Sequence, residues 1–87
     1  MRFEWDKNKN IRNIAKHGIS FENAIKLFLD DHITFELDTV AEKRFAAVGK
    51  VDGNFCTAIF VQRKSVIRII SVRRSRKDEE KIYGKYH

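Results

Sequence analysis

Eighty-seven residues with 18 lysines and arginines against 12 aspartates and glutamates, no proline and one cysteine make a chain of formal charge +6 that supports one domain, residues 1–87. Cys56 alone cannot form an internal disulfide, and no apolar run reaches signal-peptide or membrane-span length, so the expectation is a cytoplasmic protein with no membrane attachment. Residues 1–43 carry 7 basic and 8 acidic side chains (−1) while residues 44–87 carry 11 and 4 (+7), a separation that favours a polyanionic partner, because each neutralised phosphate releases condensed counterions.

The alternating "RFEW" predicts a short first strand ending at Asp6, a good N-cap for a helix over residues 7–16 with Ile11, Ile14 and Ala15 on its apolar side. Gly18 is placed as its C-cap. Ser20 N-caps a second helix over residues 20–30. There Ile19 and Ala24 are spaced for a hydrophobic staple, and Phe21, Ala24, Ile25 and Phe28 repeat at helical intervals.

A sheet follows. "HITFELD" predicts one strand, and "RFAAVGKV" and "NFCTAIFVQ" flank Asp52-Gly53, the pair best suited to a type I′ hairpin turn. "VIRIISV" comes after a polar turn at Arg63–Ser65, so residues 44–72 read as a three-stranded antiparallel meander. Cys56 reads as core. The fold class is α+β: an antiparallel sheet of three long strands plus one or two short ones, two N-terminal helices on one face, and a C-terminal helix.

In the last strand, strict alternation places Arg73 on the side of Ile67 and Arg74 on the side of Arg68. Ser75 is a candidate N-cap with Asp78 three residues on, and Asp78, Glu79 and Glu80 complement the helix dipole. Ile82 and Tyr86 mark the side expected to be buried. The segment "VRRSRKDEEKIY" is equally consistent with a solvated, well-capped helix and with an anion site.

The remaining residues narrow the chemistry. Asp30-Asp31 and Asp38 with Glu42 are the paired carboxylates, in an apparent turn and strand end, so neither a metal site nor any cofactor is expected. There is no phosphate-binding glycine loop, nucleophile elbow or Cys/His pair. Cations with general acids and bases suit one reaction above others, cleavage of RNA by its own 2′-OH. The substrate there brings the nucleophile, and the protein aligns it and stabilises the pentacoordinate phosphate. Arg73, Lys77, Glu79, Tyr83 and His17 are the candidates. Lys77 and Glu79, two residues apart, fall on nearly opposite faces of a regular helix. Tyr83 could pack or stack on a base, and His17 sits where it could simply answer a helix dipole.

With "FEWDKNKNIRNIAKHGISFENAIKLF" at the start, Arg44 and Gly49 in the middle and "RIISVRRSRKDEEKIY" at the end, essentially the whole chain resembles the BrnT-like toxins of type II toxin-antitoxin systems. The resemblance implies a RelE-like fold and a metal-independent endoribonuclease that inhibits translation. It also implies a cognate ribbon-helix-helix antitoxin (BrnA-like), with operator DNA bound only through that antitoxin. By position it brings Asp6, Lys16, His17 and Gly18 into the first motif, Arg44 into the middle, and Arg73, Lys77, Glu79 and Tyr83 into the last. Ser75, Arg76 and Glu80 depart from a pattern of alanine, a capping serine or threonine, and a basic residue. The implied site has Arg73 clamping the phosphate, Lys77 as added charge or acid, Glu79 as base or arginine-orienting group and His17 as a further acid. Arg44, Arg68, Arg74, Arg76 and Tyr83 contact RNA. Arg73, just past the apolar alternation, is expected to be an exposed arginine whose removal leaves stability nearly unchanged.

Two other classes fit parts of the sequence. The helix-KHGIS-helix segment resembles a DNA-reading motif, although "FENAIKLFLDD" with one lysine and three acids is a poor surface for a major groove. A catalytically silent RNA- or protein-binding domain is the other. Cutting RNA while sparing DNA of the same sequence separates the enzyme from both.

Overall fold

The computed structural model describes residues 1–39 and 41–86. In chain order it contains β1 (Arg2–Trp5), α1 (Lys7–His17), α2 (Phe21–Leu29), β2 (His32–Glu36), β3 (Phe45–Val51), β4 (Asn54–Arg63), β5 (Val66–Arg74) and α3 (Lys77–Tyr86). The strands form one sheet in the order β1-β5-β4-β3-β2. β2 through β5 are antiparallel neighbours, as the two-residue turns between β3, β4 and β5 require. Asp52 and Gly53 both have positive φ, 52° and 82°, the signature of the type I′ turn. β1 joins the far edge parallel to β5, Phe3 beside Ile67 and Trp5 beside Ile69.

α2 covers one face of the sheet. Its Phe21, Ala24, Leu27 and Phe28 pack on Ala47, Cys56, Ala58, Phe60, Ile69 and Val72, and Cys56 is buried. Gly49 marks the closest approach: a Cβ there would lie 3.1 Å from Leu27 Cγ and His32 Cβ. Ser20 caps α2 by accepting from Asn23 N at 3.0 Å. α3 lies on the opposite face, over β2 and β3.

α1 is oriented differently from its apolar pattern. Ile11 and Ile14 are exposed, and the residues buried are Asn10 and Asn13. The cause is its place beside the edge of β5. Beyond Ile69 that strand has lost its β1 partner, and its backbone groups must be paired some other way. Asn13 supplies the pairing, accepting from Val72 N at 3.1 Å and donating to Val72 O and Ile19 O, each at 2.9 Å. Asn10 accepts from Phe21 N at 2.8 Å and donates to Glu22 at 2.8 Å, which ties α1 to the start of α2.

Strict alternation also fails in β5. Ile59 pairs with Ser71 but Phe60 pairs with Ile69, leaving Ile70 as an extra residue. This bulge inverts the side-chain phase beyond it. Val72 joins Ile67 and Ile69 in the core, Arg74 falls on the α2 face, and Arg73 falls on the α3 face with Thr57. The two arginines are therefore transposed relative to the alternating expectation.

Candidate active site

Where β5 meets α3, the start of the helix is set by Glu79. Arg76 is the N-cap residue: its carbonyl accepts the first helical bond from Glu80 N, and its N–H donates to Glu79 Oε1 at 2.8 Å. Glu79 thus supplies the carboxylate half of a capping box. Ser75 does not cap the helix as expected. Its hydroxyl lies 2.8 Å from Thr57 Oγ1 instead, because Ser75 N is still held to the sheet by Phe55 O.

The same carboxylate pairs end-on with Arg73, Nη1 to Oε1 at 2.7 Å and Nη2 to Oε2 at 2.8 Å. Thr57 Oγ1 donates a further bond at 3.0 Å. Glu79 is 8 % exposed and Thr57 fully buried, so the pair stands at a partly dry junction of strand and helix. Burial by itself would raise the Glu79 carboxyl, but the bonds from Arg73, Arg76 and Thr57 outweigh it and hold the pKa at about 2. A carboxylate that accepts four hydrogen bonds and titrates there stays ionised at neutral pH, and it is a poor proton acceptor. Bonding to Glu79 in turn raises the Arg73 pKa.

Arg73 is accordingly no free surface arginine. Two of its N–H groups go to Glu79 and one to Arg74 O at 3.3 Å. The described hydrogen bonds leave its Nε–H and one Nη2–H, the side-on fork of the guanidinium, available for an anion. Removing Arg73 would strand a buried carboxylate, so the expected indifference of stability to this residue does not hold.

The other sequence candidates divide among five places. Tyr83, one turn beyond Glu79, packs edge-on against Phe55 with ring centroids 5.0 Å apart. Lys77 begins α3 with an exposed side chain, and the Arg76 side chain is exposed beside it. Arg74 and His17 lie across the sheet, lining a small polar cleft with Asn23, Asp52, Asn54 and Cys56. Arg68 is on the Arg73 face but five residues back, where it bonds Glu4 at 2.9 Å. Arg44 precedes β3, at the end of the sheet away from the Asp52-Gly53 turn. Ile82 and Tyr86, expected to be buried, are 36 % and 72 % exposed. The polar pull of Arg73 and Thr57 turns Glu79 to the sheet instead, and Ile82 and Tyr86 line an open groove with Ile33 and Phe35.

Sequence reasoning passed over Thr57 and took Ser75 for a helix cap rather than a partner of Thr57. A threonine inside a strand carries no local signal, since only the β4–β5 register brings Thr57 opposite Arg73. Among the described residues no three of His, Cys, Asp or Glu gather in a metal-binding arrangement, and no helix is long and apolar enough to cross a membrane.

The chain is similar to known proteins both as a sequence and as a structure. The family described as "Ribonuclease toxin, BrnT, of type II toxin-antitoxin system" matches residues 5–79. The crystal structure of the Brucella abortus ribonuclease toxin BrnT is similar at 31 % sequence identity and a TM-score of 0.69, covering 88 % of this chain and 99 % of that one. No curated protein sequence matches.

Proposed function

Since the chain belongs to the BrnT family of ribonuclease toxins of type II toxin-antitoxin systems, we propose that residues 1–87 act as one domain, a metal-independent endoribonuclease that cuts RNA through its own 2′-OH. The observation that carries this reading is the posture of Arg73. Glu79 holds it end-on in two bonds of 2.7 and 2.8 Å, which fixes the guanidinium plane and leaves the side-on fork for two phosphate oxygens.

In the proposed step the 2′ hydroxyl gives its proton to solvent as its oxygen attacks phosphorus, and the bond from phosphorus to the 5′ oxygen breaks. The products are a 2′,3′-cyclic phosphate and a 5′-hydroxyl. Arg73 meets the charge that grows on the equatorial oxygens, and it does so without reorganising, because Glu79 has already oriented it. Of the two roles open to Glu79, orienting Arg73 fits a pKa of about 2; a general base does not. Lys77, at the exposed first residue of α3, adds positive charge and protonates the leaving 5′ oxygen. Arg74 lies on the opposite face and has no role in this step, and His17, at the end of α1 beside the β5 edge, is the further candidate acid. The partner that silences the protein is a ribbon-helix-helix antitoxin (BrnA-like), operator DNA is reached through it, and the setting is the cytoplasm.

The test uses two oligonucleotides of one sequence, one all-ribose and one with 2′-deoxyribose throughout, each incubated in EDTA. The expected result is cleavage of the first alone, with a cyclic phosphate on the product by mass. Cleavage of the deoxy strand, or activity that needs added Mg²⁺, overturns the mechanism.

A further inference from the structure

Lys9, Arg12 and Lys16 recur at three- and four-residue intervals, so they share one face of α1. That face looks onto the edge of β5. With His17 they line a groove of about 380 Å³ whose far wall is Ile70 and Ser71. Ile70 is the bulge residue that β4 leaves unpaired, and Ser71 stands two residues before Arg73, on the same side of the strand. The groove therefore ends at Ser71, two residues before Arg73 along β5.

Its charge is unusually undiluted. The salt bridges among the described residues engage Lys26, Arg63, Arg68 and Arg73, and none involves Lys9, Arg12 or Lys16. Asp6, whose carboxyl pKa is lowered first by the backbone bond from Lys9 and in part by the charges of Lys9 and Arg12, has its Oδ1 committed to capping α1 through Asn8 N and Lys9 N. α1 is also held rigidly in place by Asn10 and Asn13, so the cations sit on a fixed support. From Lys9 to Lys16 the helix rises about 10 Å, with Lys9 and Arg12 about 4.5 Å and Arg12 and Lys16 about 6 Å apart along the axis. A linear row of cations beside an apolar Ile70, on which a ribose or base can rest, suits the linear charge of a nucleic-acid backbone.

Resting on the ribonuclease reading above, we propose that the α1 face formed by Lys9, Arg12 and Lys16, with the β5 edge at Ile70 and Ser71, is a single-strand binding groove that holds the sugar-phosphate backbone flanking the scissile phosphate and delivers it to Arg73. The groove contributes binding and register, and the chemistry stays with Arg73.

The experiment measures binding of a fluorescent 2′-O-methyl oligonucleotide, which has no 2′-OH to attack, by anisotropy between 50 and 300 mM salt. The wild type is compared with Lys9→Gln/Arg12→Gln/Lys16→Gln and with Lys81→Gln/Lys85→Gln, a control on α3. Thermal melts verify that each variant is folded, and Lys9→Arg/Lys16→Arg, which keeps the charge, should bind like the wild type. For single strands each lost phosphate contact flattens the salt dependence by about 0.7 in log–log slope. Three contacts should thus reduce the slope by about 2 and weaken binding about a hundredfold at 0.1 M salt. On a cleavable RNA the triple variant should raise KM and leave kcat within about threefold.

Equal affinity and slope for wild type and triple variant overturn the groove. A fall in kcat at unchanged KM overturns it as well. Unchanged oligonucleotide binding with weakened binding of polyglutamate assigns the face to an acidic protein and overturns it too. If the wild type binds with the predicted slope change yet cuts no RNA, the groove stands and the ribonuclease reading falls.

Discussion

Replacing Glu79 by Gln separates its two candidate roles. The folded-state pKa is about 2 against an ordinary 4.5, so the ionised carboxylate contributes about 3 kcal/mol of stability at 1.4 kcal/mol per unit. The sign follows from the depressed value. That contribution is complete above the unfolded pKa, near pH 5, and is lost as pH falls toward 2. Gln resembles the protonated acid, so urea melts of wild type and Glu79→Gln should differ by about 3 kcal/mol at pH 7 and converge near pH 2. In activity, Gln turns an N–H toward Arg73 and loses one of the two end-on bonds. Cleavage should then fall by one to two decades with the shape of the pH–rate profile unchanged between pH 5 and 9. Two results would refute this reasoning. One is a wild-type profile with an acid limb that disappears in the variant, which would make Glu79 the base. The other is a stability gap that persists at pH 2.

Arg73→Lys keeps a cation for Glu79 but removes the fork, and it should lose roughly two to three decades of cleavage rate while retaining antitoxin binding in a pull-down; Arg73→Ala should in addition lower stability by about 3 kcal/mol, read from urea melts. Gly49→Ala places a methyl 3.1 Å from Leu27 and His32 and 3.3 Å from Asp31 O, so the thermal midpoint should fall by several degrees for a cost of about 1–3 kcal/mol. Asn13→Ala unpairs both backbone groups of Val72 and the Ile19 carbonyl, costing about 3 kcal/mol, and hydrogen exchange at Val72 N–H should quicken at least tenfold.

Features encoded within a few residues are legible in the amino-acid sequence alone. Asp52-Gly53 demands a turn with two positive φ values, Ser20 caps the helix that begins beside it, and strands joined by such turns must be antiparallel. The α+β class follows from local signals of this kind, and the family from the resemblance of longer segments at both ends of the chain. Arg73 and Glu79 stand out as site candidates because a strand discharging into mixed charges is unusual.

The tertiary structure decided matters that depend on distant partners. The bulge at Ile70 exists only against the β4 register, and one extra residue sends Arg73 and Arg74 to opposite faces from those that alternation dictates. α1 buries Asn10 and Asn13 rather than Ile11 and Ile14 because it lies against an unpaired strand edge, where a hydrogen bond matters more than apolar area. Counting charge by halves concealed Lys9, Arg12 and Lys16, since acids that balance them in the first half of the chain are engaged elsewhere, Glu4 with Arg68 and Glu42 with Arg63. Periodicity and capping act over one or two turns of chain. Register, edges and ion-pair choice are set by residues far apart in sequence, so only the assembled sheet decides which cations share a face.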